Sequence, residues 1–162
     1  MDYLWTPWRY HYITTTAGKP VDCIFCAARN SSDDGESLVV HRAARNLIIL
    51  NRFPYTNGHV MVAPYEHVAS LDELSPEAAA EMMSLAQTCV RHLKALYRPE
   101  GLNLGMNLGT SAGAGIAAHL HLHVLPRWSG DTSFITTVGE TRVLPEALEV
   151  TWERLREAFR QP

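Results

Sequence analysis

The stretch His119-Leu120-His121-Leu122-His123-Val124 sets three imidazoles in strict alternation with three aliphatic side chains. Alternation with a period of two is the pattern of a half-buried β-strand, whose side chains point to opposite faces in turn. Read so, the histidines line one face at intervals of about 6.5–7 Å, while Leu120, Leu122 and Val124 enter the core. Imidazole is the side chain whose ordinary titration falls near neutral pH. Three of them at this spacing mark a site rather than a solvated face that happens to be rich in histidine. Two chemistries fit. Imidazoles at i and i+2 can converge on a metal such as zinc. Alternatively, the central imidazole attacks an electrophile while its neighbours orient it and handle protons.

The segment upstream bears on that choice. Asn107-Leu108-Gly109-Thr110-Ser111-Ala112-Gly113-Ala114-Gly115 is rich in glycine and hydroxyls and delivers the chain onto the histidine strand. Such a loop is either a flexible connector or a phosphate cradle, its glycines letting backbone N–H groups converge on an anion while Thr110 and Ser111 add side-chain donors. Beside an imidazole nucleophile the cradle reading points to nucleotidyl or phosphoryl transfer. A second cluster begins at Cys23-Ile24-Phe25-Cys26, half of a zinc site by spacing, with His67, His119, His41 and His59 as possible further donors. No thioredoxin-like strand and helix surround it, so a redox pair is the weakest reading. Cys89, beside Val90 inside a helical pattern, reads as a small buried hydrophobe. His11 and His92 have no context that singles them out.

The elements that must position these groups follow from periodicity and punctuation. Residues 1–37 read as mostly irregular, with an aromatic cluster (Tyr3, Trp5, Trp8, Tyr10, Tyr12), the Cys-Ile-Phe-Cys turn and a polar loop from Asn30 to Ser37. Leu38 to Val40 predicts a short strand. Asn46 to Asn51 and His59 to Ala63 predict an antiparallel pair joined by the turn residues Phe53 to Gly58, with Pro64 ending the second strand. Ser75-Pro76-Glu77 is a helix start, with Ser as N-cap and Pro at the first helical position. Ala79, Met82, Met83, Ala86, Val90, Leu93 and Leu96/Tyr97 follow at helical spacing up to Pro99, and both methionines read as core. A further strand is expected over Leu102 to Asn107, and a terminal helix from about Pro145 to Phe159.

The 162 residues suit one domain, divided as an extension over 1–37 carrying the Cys-x-x-Cys, a core over 38–127, and a C-terminal segment and helix over 128–162. Apolar residues make up 46% and charged residues 19%, ordinary for a globular chain. A net charge of −3 supplies no basic field for nucleic acid, so an anionic ligand must be held by local donors. No apolar run approaches the roughly 18 residues of a membrane span, and Met1 to Trp5 shows no signal peptide. Three cysteines, an odd number, favour a reducing compartment, placing the protein in the cytoplasm.

His119 to Leu125 resembles the signature of the histidine triad superfamily, His-φ-His-φ-His-φ-φ with φ apolar. Asn51-Arg52-Phe53-Pro54, Gly58 to Pro64 and Gly105 to Gly109 are similar to family blocks in the expected order. Leu4 to Arg9 and Pro126 to Trp128, continuing through Phe134-Ile135-Thr136, resemble one branch, the bacterial diadenosine tetraphosphate phosphorylases, related to the fragile-histidine-triad hydrolases. The resemblance implies an α+β fold with an antiparallel sheet, a long helix and a C-terminal helix, assembled as a homodimer and acting on adenine nucleotides substituted at the α-phosphate. It implies that His121 is the nucleophile, forming a nucleotidyl-imidazole, with His123 and His59 in support. Asn51 would contact the ribose, and Asn107 with Gly113, Ala114 and Gly115 would hold phosphate oxygens. It also implies a structural zinc at Cys23, Cys26, His67 and His119. Gly115 stands four residues before His119, where the family's hydrolases usually carry Gln and its phosphorylases Ser, and Ala114 stands where the phosphorylases commonly have glycine. The acceptor is then positioned by backbone, by Thr110 or Ser111, or by water. Phosphorolysis, hydrolysis as in the fragile-histidine-triad or phosphoramidase branches, and nucleotide sensing with incidental turnover remain the alternatives.

Overall fold

The computed structural model describes residues 23–139 and 144–160. The N-terminal aromatic cluster and the Leu4 to Arg9 block lie outside them. In chain order come α1 (Ile24–Asn30), α2 (Asp34–Ser37), β1 (Val39–Arg42), β2 (Asn46–Leu50), β3 (Val60–Pro64), α3 (Pro76–Tyr97), β4 (Gly101–Met106), β5 (Leu122–Arg127), α4 (Phe134–Thr137) and α5 (Leu148–Arg160). Single 3-10 turns occupy Leu71–Glu73 and Thr110–Ala112. The strands form one antiparallel sheet in the order β1-β2-β3-β5-β4, an α+β architecture. Among the described residues no helix is long and apolar enough to cross a membrane.

Strands β2 and β3 are buried on both faces, as their unbroken apolar runs require. Their pairing, Asn46 with Pro64 through Leu50 with Val60, fixes the register. Helix α3 starts where Ser75 and Pro76 predict, the Ser75 hydroxyl accepting from the Ala78 N–H. It ends at Tyr97, with Arg98 in the left-handed region at φ 47° ahead of Pro99. Its inner face carries Ala78, Met82, Leu85, Ala86, Cys89 and Leu93. Met82 is buried, but Met83 is 53% exposed and is not core, because one residue further rotates it about 100° off the packed face. Glu81 ties this helix to the β1–β2 turn by accepting from the Ala44 and Arg45 N–H groups and from Asn46 Nδ2.

The expectation of mostly irregular chain over 1–37 is corrected for its described part, most of which lies in α1 and α2. Cys23 is the cap position of α1 and Cys26 lies in its first turn, so the cysteine pair opens a helix rather than making an isolated turn. A helix of 7 residues is marginal alone. Burial of Phe25 and Ala28 holds it, and the Arg42 guanidinium donates to its terminal carbonyls at Ala28, Arg29 and Ser31. Helix α5 closes over the β1 edge. Trp152 Nε1 donates to the Val39 carbonyl at 2.9 Å, Arg156 pairs with Asp34 at 2.8 Å, and Leu155 is buried beneath. At the other edge, Asn103, Leu104 and Gly105 of β4 are exposed.

Candidate functional site

The histidine motif joins the sheet only in its second half, where the ladder begins at Leu122. The reason is that β3 and β4 pair with nothing before that residue: Val62 and Met106 are both matched to Leu122. The chain ahead of the ladder is held differently, the Leu120 N–H donating to the Val68 carbonyl at 2.7 Å. Nor is the histidine face solvated. His119 is 1% exposed and His121 5%, as buried as Leu120 and Leu122 behind them. The half-buried strand expected from alternation holds from Leu122 onward, where burial alternates, whereas His119 to His121 are covered on both sides. The cover over the imidazoles is Phe25, whose ring lies 5.0 Å from that of His119 and 4.9 Å from that of His121.

Backbone carbonyls decide which nitrogen of each imidazole carries hydrogen, because a carbonyl only accepts. His119 Nε2 lies 2.9 Å from the Pro64 carbonyl and therefore donates, leaving the lone pair on Nδ1. His121 Nδ1 lies 2.9 Å from the His119 carbonyl and donates, leaving the lone pair on Nε2. Burial pushes His121 below the ordinary imidazole range, against the opposing pull of the His119 carbonyl. Burial, with His121 alongside, takes His123 down to about 4. Both rings are neutral near pH 7, the form in which an imidazole has a lone pair to share.

His59 is fully buried at the head of β3 and reaches His123, with Nε2 2.9 Å from His123 Nδ1. The loop that delivers His59 is pinned on two sides. Thr56 Oγ1 donates to the Pro126 carbonyl at 2.9 Å, and Gly58, at φ +77°, packs so close to α3 that a Cβ there would sit 2.9 Å from Leu93 Cδ2. Asn51 sits at the same end, its Nδ2 3.4 Å from His59 Nδ1. The glycine loop leaves β4 at Met106 and returns at Leu122, two residues paired across the ladder, so it begins and ends beside the histidines. It is folded on itself through Gly113 N–H to Thr110 O, Ala114 N–H to Gly109 O, and Asn107 Nδ2 to Gly113 O at 3.5 Å. Gly109 and Gly113 both have positive φ, at 79° and 90°. Thr110, Ser111 and Gly115 are exposed.

Around His119, the donors of Cys23, Cys26, His67 and His119 itself lie within 4.8 Å of one another. His119 Nδ1 is 3.2 Å from Cys23 Sγ, 3.7 Å from Cys26 Sγ and 3.2 Å from His67 Nδ1, and Cys26 Sγ is 3.1 Å from His67 Nδ1. Tetrahedral zinc with ordinary bond lengths puts sulfur and nitrogen about 3.6 Å apart and two nitrogens about 3.3 Å apart, so this donor set fits the ion. The bond from His119 Nε2 to Pro64 is the outer hydrogen bond that turns a lone pair toward a metal. Burial, and Cys23 beside it, push the Cys26 thiol up, a penalty that a divalent cation would offset. Of the other donors considered, His59 is paired with His123 instead, and His41 stacks on Phe159 with ring centroids 5.3 Å apart. Cys89 is buried apart from both clusters, its thiol pushed up to about 12 by burial.

Two residues of the site, Phe25 and Tyr55, were not legible in the sequence. Phe25 had a signal, an aromatic residue inside the cysteine pair, but not its position over two histidines. Tyr55 lies over the other pair, with ring centroids 4.9 Å from His59 and 6.4 Å from His123, and only its place in turn chemistry was visible.

A family model described as HIT domain matches residues 33–130. The chain is 42% identical over 168 residues to the AP-4-A phosphorylase of Mycobacterium tuberculosis, covering 98% of this chain and 85% of that one. It is 31% identical over 107 residues to the adenosine 5'-monophosphoramidase of Schizosaccharomyces pombe, covering 66% and 75% respectively. Among solved structures, a zinc-bound histidine triad family protein from Mycobacterium smegmatis superposes with a TM-score of 0.68 at 30% identity, covering 86% of this chain and 94% of that one. On fold, motif and likeness together, this chain belongs to the HIT, or histidine triad, family.

Proposed function

We propose that this chain is a nucleotidyl transferase or hydrolase that cleaves dinucleoside polyphosphates, with diadenosine tetraphosphate as the working substrate, in two displacements through His121. The observation that carries this reading is the 2.9 Å bond from His121 Nδ1–H to the His119 carbonyl. It holds the ring and leaves Nε2 as a neutral nucleophile. Nε2 attacks the α-phosphorus, a P–N bond forms, and the P–O bond to the departing polyphosphate breaks. The positive charge this places on the His121 ring is shared with the His119 carbonyl through the same bond. An acceptor oxygen then attacks phosphorus, the P–N electrons return to Nε2, and the acceptor's proton passes to solvent. His123 and His59 support the reacting ring, Asn51 contacts the ribose, and Asn107 with Gly113, Ala114 and Gly115 holds phosphate oxygens. With no side chain at Gly115, Thr110 and Ser111 are the loop's hydroxyls for placing the acceptor. The mycobacterial phosphorylase, alike over nearly the whole chain, supports the substrate class.

Zinc at Cys23, Cys26, His67 and His119 is the second part of the proposal, supported by the donor distances and by the zinc-bound relative. Bound there, zinc ties α1 to the loop after β3 and adds folding free energy. The exposed outer edge of β4, with Leu104 45% exposed and Leu108 in the loop beyond it 44% exposed, supports a homodimer formed across it. The free Cys23, Cys26 and Cys89 support a cytoplasmic setting. We read the chain as one domain in which 38–127 carries the chemistry.

The test is product identity from diadenosine tetraphosphate with and without inorganic phosphate. ADP plus ATP, dependent on phosphate, is the expected result. AMP plus ATP would make water the acceptor, and tight binding without turnover would make the chain a nucleotide sensor. The yeast relative favours one second reading, a phosphoramidase, which would release AMP from adenosine 5'-phosphoramidate faster than it cleaves the dinucleotide.

A further inference from the structure

The His59–His123 pair has its proton placed by groups that lie on the opposite side of His59 from His123. The Phe53 backbone N–H can only donate, and it lies 3.0 Å from Asn51 Oδ1. That bond fixes the orientation of the Asn51 amide, so the group 3.4 Å from His59 Nδ1 is the Nδ2 donor. The Tyr55 backbone N–H approaches the same Nδ1 at 3.2 Å. A ring nitrogen that receives N–H donors holds a lone pair, so neutral His59 carries its hydrogen on Nε2. That hydrogen points along the 2.9 Å contact to His123 Nδ1, which must accept. Neutral His123 is then left with hydrogen on Nε2. The Tyr55 ring covers both imidazoles and shields the contact between them.

We propose that Asn51 and the Tyr55 backbone N–H are positioning groups that lock this pair in one proton arrangement, so that His123 meets the substrate as a donor through Nε2–H. His123 therefore hydrogen-bonds a phosphate oxygen and does not act as the base. The Asn51 amide has two duties, since Oδ1 keeps a second lone pair for a ribose hydroxyl. The assignment of His123 to the substrate rests on the nucleotidyl-transfer reading above; the proton arrangement does not.

The test is imidazole 15N NMR of the labelled protein near pH 7, with Asn51→Asp and Asn51→Leu alongside. In the unaltered protein, His59 and His123 should each show Nδ1 in the lone-pair range and Nε2 in the N–H range. Asn51→Asp replaces the donor by an acceptor, so His59 Nδ1 should cross into the N–H range and kcat should fall about 10- to 100-fold. Asn51→Leu keeps the Tyr55 donor, so the His59 pattern should stay while KM rises from the lost ribose contact. Hydrogen on Nδ1 of either histidine in the unaltered protein overturns the proposal, as does an Asn51→Asp variant whose His59 pattern does not move. Because the spectra are taken without substrate, a chain that cleaves no dinucleotide would refute the nucleotidyl-transfer reading and leave the lock to be decided by the shifts.

Discussion

His119 and His121 are two residues apart, are both buried and lie against the same phenylalanine, yet they are tied by opposite nitrogens. His119 gives its Nε2 hydrogen to Pro64 and turns Nδ1 toward two thiols and a second imidazole. His121 gives its Nδ1 hydrogen to the carbonyl of His119 itself and keeps its lone pair on Nε2. Residue type and spacing make the two look equivalent. Two backbone carbonyls make them different, one suited to hold a metal and the other to attack phosphorus.

Removing each ring in turn separates the two roles. His121→Ala should lower kcat on diadenosine tetraphosphate by about three orders of magnitude or more while leaving metal content unchanged. His119→Ala should instead lose bound zinc, read by metal analysis, together with thermal stability. If both variants lost metal and activity alike, the division would fail. Phe25→Ala attacks the boundary between the two. Truncating a buried phenylalanine costs about 3–5 kcal/mol, and this loss, measured by urea unfolding, should be accompanied by weaker zinc retention.

A pH series sharpens the catalytic side. In the fold His123 stays neutral down to about 4, whereas its ordinary value is 6.5. Between those values the unfolded chain binds more protons than the native one, so stability falls as pH drops from about 6.5 toward 4. Going from pH 7.5 to 5, this residue should remove about 2 kcal/mol, and His123→Gln should lose correspondingly less over the same interval. Unchanged pH dependence in the variant would contradict a neutral, buried His123. The smallest effect expected is at Gly58, where alanine meets both the positive φ and Leu93 Cδ2. A cost of about 1–2 kcal/mol, with a rise in KM as the His59 loop shifts, is the expected outcome.

The sheet and α3 were legible because their signals are local: continuous apolar runs for β2 and β3, and Ser75-Pro76 for the helix start. Helix α1 was not. Phe25 and Ala28 are too few to show a period, and the Arg42 that closes its end comes from a strand 13 residues after Arg29. The same limit applied to the site. Alternation located the histidines, but it could not show that the ladder stops at Leu122, nor that Pro64 and His119 supply the carbonyls that fix their tautomers. The cysteine pair with His67 and His119 formed a nameable donor set, whereas excluding His41 and His59 required knowing their partners in space.

The most direct measurement is to quench the reaction with diadenosine tetraphosphate in alkali, where a phosphorus–nitrogen bond on histidine survives, and to map added mass by peptide sequencing in a mass spectrometer. One adenylyl group is expected on the peptide containing His119 to His123, carried by His121, and none in His121→Ala. Turnover with no adduct, or an adduct on any other residue, would contradict attack by His121.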